Sequence, residues 1–326
     1  MAWGVTTGLD VQTSTNDPFA YQDLVDAGQM IGPRAFSTGP GIFSQNNFQS
    51  KEEAIGLMKR YRDHYRTRNL KSYIAGNRKQ RNYIVQAANE LGMMPTTEGA
   101  LDLKLDLTHA IDAFHGNEHN FPITPLYKDV VELVAQSGMT YTPTLLVTYG
   151  GPWGENFYYA TEEVHDDPKV KRFVPDNIIQ SKTRRVPWFR KDEYAFSKIA
   201  KDATKIIRAG GLVGVGGHGQ FNGLGYHWEL WSLHSGGMSE MEALRAATIN
   251  GAKIIGVSGD IGSIEYGKLA DLVILDKDPL VNIRNTNSIR YVMKNGVLYE
   301  GDTMNEIWPN PKELDPQWWW NDGPEN

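Results

Sequence analysis

Four residues able to bind metals or transfer protons stand at the ends of separate short apolar segments. They are Lys71, Glu98, His119 and His218. Each segment has the length and the β-branched or small residues expected of a buried strand. Because α/β barrels carry their catalytic residues at the carboxyl ends of strands, we predict that the four side chains meet in one site. Carboxylate and histidine bind divalent metals, and neutral histidine also accepts protons.

Each of the four candidates also has a purely structural interpretation. Lys71 and Glu98 could form an ion pair inside the mouth of a barrel. His119 could be a strand-end histidine that is hydrogen-bonded to backbone. His218 follows the glycine-rich run 210–217 and could simply fill space, although glycines on both sides suggest that other groups approach it closely.

Two further residues are candidates for binding a substrate. Tyr149 precedes a glycine-rich turn and could hold a substrate carbonyl or carboxylate, or be an ordinary loop aromatic. His227 lies between Tyr226 and Trp228, where it could contact a substrate or pack at the start of a helix. Residues 150–190 are polar and aromatic, and their length predicts an active-site loop or cover.

Strand and helix patterns alternate along residues 1–256, which predicts a parallel sheet covered by helices. A closed barrel of this kind has eight strands. We therefore expect a barrel that lacks one strand unit from its start. The seven expected strands lie near Val5, Ala35, Lys71, Met94, Glu118, Thr144 and Val213.

The character of the chain changes after residue 256. Residues 257–310 contain alternating apolar runs and predict a small β subdomain. Asn295 and Gly296 separate two of these runs and are typical of a type I′ hairpin turn. Residues 311–326 form a tail with three consecutive tryptophans, which we expect to pack against the protein or to contact a partner.

Composition excludes several classes of function. With 39 acidic and 33 basic residues, the net charge of −6 argues against a nucleic-acid partner. Apolar runs are too short for a membrane span. The chain has no cysteine, so a metal would be held by histidine, carboxylate or a modified lysine. This composition is compatible with either redox compartment, so no localisation is assigned.

Four motifs stand out in the sequence, at residues 4–7, 246–252, 262–276 and 292–296. They resemble motifs of the amidohydrolase superfamily, and the resemblance extends over nearly the whole chain. It is closest to the imidazolonepropionase-like and prolidase-like branch. Residues 149–155 and 225–231 are similar to members fused behind a β-propeller.

The resemblance implies an α/β fold, a (β/α)8 TIM-type barrel with a small β-sandwich remnant at the C-terminus. It also implies one or two divalent ions that activate water and polarise the scissile carbonyl. Lys71 matches the carboxylated lysine of strand four, and His119 matches the histidine of strand six. Glu98 stands in place of the strand-five histidine and His218 in place of the strand-eight aspartate. The His-x-His pair of strand one does not occur in the sequence.

Our first hypothesis is a metal-dependent hydrolase of amide or cyclic-amide C–N bonds in small or peptide-like substrates. Lys71, Glu98, His119 and His218 would bind the metal, with His218 also catalytic, and Tyr149 and His227 would contact the substrate. Zinc is the first choice of metal, with manganese, iron or nickel as alternatives.

The second hypothesis is a catalytically silent barrel that binds a ligand or builds an assembly. Under either hypothesis, the missing strand has two explanations. The chain is the C-terminal part of a longer protein whose first strand, His-x-His pair and half of the β-sandwich lie upstream or on another chain, or it is a short form that closes its barrel by association and has lost the standard metal site. Both explanations predict a homo-oligomer or an upstream domain covering the open edge of the barrel.

Overall fold

Parallel strands alternate with helices in the first part of the chain. The computed structural model describes residues 1–12, 17–43 and 45–320. The parallel strands are β1 (Thr7–Asp10), β2 (Arg34–Ser37), β3 (Asn69–Ser72), β4 (Met94–Thr97), β5 (Gly116–Glu118) and β6 (Thr140–Thr142). β1 pairs with β2, and β3 to β6 pair in sequence order. A single parallel bridge pairs Ile42, in the segment after β2, with Ser72 of β3.

Helices connect and cover these strands. They are α1 (Asp17–Asp26), α2 (Lys51–Arg60), α3 (Arg78–Leu91), α4 (Leu103–Ile111), α5 (Lys128–Ser137), α6 (Gly154–Thr161), α7 (Pro168–Phe173), α8 (Asp176–Thr183), α9 (Phe196–Arg208), α10 (Leu224–Ser235), α11 (Glu240–Arg245) and α12 (Gly251–Ile254). The expected cover at 150–190 is therefore largely helical, since it contains α6, α7 and α8. No helix in the described part of the chain is long and apolar enough to span a membrane.

The seventh expected strand is reduced to a single parallel bridge. Val213 pairs with Tyr141 of β6, and the Tyr141 amide donates to the Leu212 carbonyl at 2.9 Å. Close neighbours explain the glycines here, since a Cβ on Gly216 would lie 2.4 Å from the Thr142 Cγ2 atom. A strand with so few side chains to pack keeps only this short pairing.

The C-terminal region forms one antiparallel sheet. Its strands are β7 (Leu272–Leu275), β8 (Ile289–Lys294), β9 (Val297–Glu300) and β10 (Glu306–Trp308). The predicted turn is confirmed, because Asn295 and Gly296 both have positive φ, 51° and 80°, between the paired residues of β8 and β9. The sandwich remnant and the boundaries at 256 and 310 stay predictions.

The tryptophan tail packs against the protein as far as residue 320. The indole N–H groups of Trp319 and Trp320 both donate to the Arg172 carbonyl, and the Arg172 guanidinium lies 4.2 Å from the Trp320 ring centroid. The rest of the tail, residues 321–326, lies outside the described residues.

A buried carboxylate fixes the turn that follows β6. Glu229 of α10 is fully buried, and its two oxygens accept from the Leu145 and Leu146 amides at 2.8 and 3.0 Å. Burial raises the pKa of Glu229 to about 8, although these two amides favour the ionised form. The helix and the turn are therefore joined by a group whose charge depends on pH.

Helices α9 and α10 approach so closely that Gly236 leaves no room for a side chain. A Cβ on Gly236 would lie 2.2 Å from the Ala200 backbone carbon. We expect Gly236→Ala to lower the free energy of unfolding by about 1–3 kcal/mol, because backbone cannot move aside as a side-chain tip can. Urea unfolding measures the change. Gly56→Ala is the control: Gly56 is exposed in α2 with nothing near its Cβ, so this variant should gain about 0.5–1 kcal/mol. Equal effects of the two substitutions would contradict this packing.

Glu229 should make stability fall as the pH rises. Its pKa is about 8 in the folded state against a reference of 4.5, so the folded state binds the extra proton between these values. Its contribution is complete below pH 4.5 and is lost as the pH rises through 8. We expect the free energy of unfolding of Glu229→Gln, relative to that of the unmodified protein, to increase as the pH rises from 5 to 8 in urea unfolding. Asp106, whose pKa burial raises to about 7, and His227, whose pKa burial lowers to about 4, titrate in both proteins, so the difference reports on Glu229.

The control for this pH series is Glu132→Gln, at a half-exposed glutamate of α5. Its curve should run parallel to that of the unmodified protein. A Glu229→Gln curve that is also parallel would show that Glu229 does not titrate in this window.

Candidate functional site

Lys71, Glu98 and His119 meet at one carboxylate oxygen. Lys71 lies on β3 and is only 2% exposed, and its Nζ is 3.0 Å from Glu98 Oε2. His119 Nε2 is 3.4 Å from the same oxygen. Lys71 is in register with Thr96 of β4, and Glu98 follows Thr96 by two residues, so strand alternation puts these side chains on one face. Three of the four predicted metal ligands are therefore in direct contact at this oxygen.

His119 is held by groups from the segment after β6. Its backbone has φ of 68°, its Nδ1 is 2.7 Å from Thr144 Oγ1, and its ring stacks on Tyr149 at 4.7 Å. Burial, together with the charges of the nearby Lys71 and His218, lowers the pKa of His119 to about 3. His119 is therefore neutral at physiological pH, the form that binds metals.

His218 lies at the open side of the same cluster. It is exposed, its φ is 55°, and its ring centroid is 5.0 Å from that of His119. Its Nδ1 is 3.2 Å from Gln220 Oε1. His218 thus forms the rim of the site, whereas Lys71 is buried at the base.

Two tyrosines border the charged groups. Tyr149 stacks on His119, and the Tyr73 ring centroid lies 5.0 Å from Lys71 Nζ. Burial raises the pKa of each phenol to about 12, and the charge of Glu98 acts in the same direction. Both hydroxyls therefore stay protonated and can donate hydrogen bonds. Tyr149 was predicted from its loop, whereas Tyr73 was not predicted.

The structure does not bring His227 to this cluster. His227 is buried, with Nδ1 3.1 Å from Thr286 Oγ1 and Nε2 3.0 Å from the Trp3 carbonyl oxygen. Burial lowers its pKa to about 4. Both ring nitrogens are used by protein groups, which corresponds to the packing interpretation of this residue and not to contact with a substrate.

Sequence reasoning missed three residues in the hydrogen-bond contacts of the histidines: Thr144, Gln220 and, through Gln220, Glu155. Gln220 could have been suspected, since it follows His218 by two residues. Thr144 and Glu155 had no local signal, because they act on partners 25 and 65 residues away.

The donor chemistry of the site partly fits a divalent ion. Glu98 Oε2 and His119 Nε2 are 3.4 Å apart, a separation suited to two ligands that each bind one ion at roughly 2.0–2.2 Å. As an ammonium, Lys71 would repel that ion, so it fits only after losing its charge. Carboxylate and imidazole suit zinc, manganese, iron and nickel.

A different group of potential ligands lies on the surface. Within the described residues, the triad whose ligand atoms all lie within 4.8 Å of one another is Glu163, His165 and Asp166. All three are exposed, and such surface clusters are common without an ion. They do not belong to the cluster around Glu98.

Comparison with known proteins identifies a family that the sequence matches. A family model described as amidohydrolase family matches residues 82–299. A 39-residue stretch is 59% identical to imidazolonepropionase of Symbiobacterium thermophilum, covering 12% of this chain and 9% of that protein. The chain therefore matches only a small part of the length of this relative.

Solved structures agree on the fold. A Xaa-Pro dipeptidase with bound methionine in its active site has a TM-score of 0.66 at 22% identity, covering 92% of this chain and 76% of that one. Phenylurea hydrolase B also has a TM-score of 0.66, at 19% identity, covering 91% and 74%. These neighbours imply an α/β fold of the TIM-barrel type, consistent with the parallel sheets. Because the family model matches well over half of its length, the chain belongs to the amidohydrolase family.

Proposed function

We propose that this protein hydrolyses amide or cyclic-amide C–N bonds of small or peptide-like substrates in a metal-dependent reaction. The observation that carries the proposal is Glu98 Oε2, which lies beside both Lys71 Nζ and the neutral imidazole of His119. Family membership supports it, as do the names of the relatives, imidazolonepropionase and Xaa-Pro dipeptidase.

Glu98 and His119 would hold the metal, together with Lys71 once it is carboxylated. Carboxylation joins the neutral lysine amine to carbon dioxide with loss of a proton, which turns the repelling cation into an anionic ligand. One or two ions, zinc first and manganese, iron or nickel as alternatives, would lower the pKa of water and polarise the scissile carbonyl.

The remaining residues would handle protons and the substrate. His218 is exposed beside His119, so it can complete the metal site or accept a proton from the attacking water. Tyr149 keeps its hydroxyl proton and can donate to a substrate carbonyl or carboxylate. The helices of 150–190 would cover the bound substrate.

We further propose that the barrel is completed by a strand from outside the described residues. Among these residues, β1 pairs only with β2 and so is an edge strand. At the other end of the parallel strands, Val213 forms only one bridge, with Tyr141 of β6. An exposed parallel edge leaves backbone groups unpaired. An upstream segment would cover it and could contribute the His-x-His pair. A second copy of the chain would cover it without adding that pair, which the sequence does not contain.

One observation favours the second candidate, a silent barrel that binds a ligand or forms an assembly. The 3.0 Å contact between Lys71 and Glu98 neutralises both charges without an ion. This candidate predicts an oligomer without hydrolase activity. Sedimentation measured together with assays on dipeptides and cyclic amides discriminates the two, because an active monomer would exclude the silent assembly.

Metal binding provides the main test. After removal of metals and reloading in bicarbonate, we expect about one or two equivalents of metal by mass spectrometry. Glu98→Gln and His119→Ala should weaken affinity in calorimetry by more than the roughly 10–100-fold typical of outer partners, because each removes a direct ligand.

Glu132→Gln is the matched control, since it removes a carboxylate on the outside of α5 and should bind metal as the unmodified protein does. If the unmodified protein takes up no zinc, manganese, iron or nickel, the hydrolase proposal fails. If Glu98→Gln and His119→Ala bind as tightly as the control, the metal lies elsewhere.

A further inference from the structure

A buried carboxylate outside the cluster is connected to His218 through one amide side chain. Glu155 of α6 is 4% exposed. Its Oε2 accepts from Gln220 Nε2 at 2.8 Å, and its Oε1 accepts from the Tyr159 hydroxyl at 2.7 Å. Gln220 Oε1 in turn lies 3.2 Å from His218 Nδ1. The three side chains therefore form a chain of hydrogen bonds from the helical cover to the rim of the site.

The donor and acceptor chemistry of these groups fixes the direction of each of these hydrogen bonds. Because Glu155 accepts from both neighbours, the NH2 end of the Gln220 amide must face it. The carbonyl end then faces His218, and an amide oxygen can only accept. His218 Nδ1 must therefore carry the proton, and its Nε2 is left with the free lone pair.

We propose that Glu155 is a positioning residue that acts through Gln220 to hold His218 in the Nδ1–H form. In water, free neutral histidine favours the opposite, Nε2–H form. The proposal rests on the proposed function, since the freed Nε2 lone pair is what metal binding or proton transfer at the rim requires.

The position of Glu155 is determined by packing that does not involve the site. A Cβ on Gly154 would lie 2.6 Å from the Leu145 carbonyl oxygen, so α6 begins directly on the turn after β6. Tyr158 of α6 stacks on Trp228 at 5.1 Å and 4°, and its hydroxyl is 2.9 Å from Ser232 Oγ. Helix α6, which carries Glu155, is thus packed against α10 independently of Gln220.

A purely structural role would have a different signature. Gln220 also closes its own turn, through the hydrogen bond from its backbone N–H to the Gly217 carbonyl at 3.2 Å. If the side-chain contacts served only to hold this turn, changing them would affect stability without changing which nitrogen of His218 is protonated. The location of the proton is therefore the decisive measurement.

The test uses metal-free full-length protein with 15N-labelled histidine. Long-range proton–nitrogen spectra identify the tautomer, at an alkaline pH where the His218 signals no longer shift, and His218→Ala assigns them. We expect the Nδ1–H form in the unmodified protein. Glu155→Gln, which lets both amides rotate, and Gln220→Ala should move His218 toward the Nε2–H form.

Tyr159→Phe is the matched control. It removes the other donor to Glu155 but keeps the contact with Gln220, so the His218 tautomer should not change. An Nε2–H form in the unmodified protein, or the same tautomer in Glu155→Gln and Gln220→Ala as without substitution, would overturn the proposal. If Glu155→Gln does not fold, Gln220→Ala alone decides.

A second measurement separates this inference from the proposed function. In protein loaded with zinc, Glu155→Gln should lower kcat by roughly 10–100-fold with little change in KM, as loss of an outer partner does. If the His218 tautomer changes in Glu155→Gln and Gln220→Ala but the protein binds no metal, the role of Glu155 holds and the hydrolase proposal fails. If the protein is an active enzyme but these substitutions leave the tautomer unchanged, only the role of Glu155 is rejected.

Discussion

The buried ion pair of Lys71 and Glu98 is the interaction on which the rest of the site depends. Lysine at 2% exposure is unfavourable without a partner, because removing an ammonium from water costs several kcal/mol. Glu98 supplies the compensating charge at 3.0 Å from Lys71 and lies next to His119. Lys71 in turn helps to keep His119 neutral. The pair therefore determines both the position of the carboxylate and the protonation of the imidazole.

Three residues in left-handed conformation present the site at the ends of the strands. His119, Thr144 and His218 have φ of 68°, 48° and 55°, a region that is uncommon for non-glycine residues and that contacts must stabilise in a β-branched residue such as Thr144. The two histidines differ in the contacts that hold them. His119 contacts Thr144 and Tyr149, and Thr144 directly precedes Leu145, whose amide donates to Glu229. His218 has the Gln220 contact and an open side.

Local sequence signals predicted the parts of the structure that depend on local chemistry. The Asn295–Gly296 turn is confirmed, because its residues alone favour positive φ. Five of the six candidate site residues meet, since the ends of adjacent parallel strands and the loop after β6 lie together whatever their separation in sequence. His227 does not join them, because helix α10 turns it toward Trp3 and Thr286, a contact that no local pattern specifies. The expected strand at Val213 is reduced to a bridge because its glycines leave little to pack.

The residues that were not predicted are connected to the histidines by hydrogen bonds and place no charge in the cluster around Glu98. Thr144 contacts His119 across 25 residues of chain, and Glu155 contacts Gln220, the partner of His218, across 65 residues. At the buried base, Coulomb interactions decide which groups carry charge. At the exposed rim, water screens such interactions, so a histidine there is better controlled by a hydrogen bond to one nitrogen. The same division explains why ionisable residue types revealed the base of the site from sequence, whereas the control of its rim required the fold.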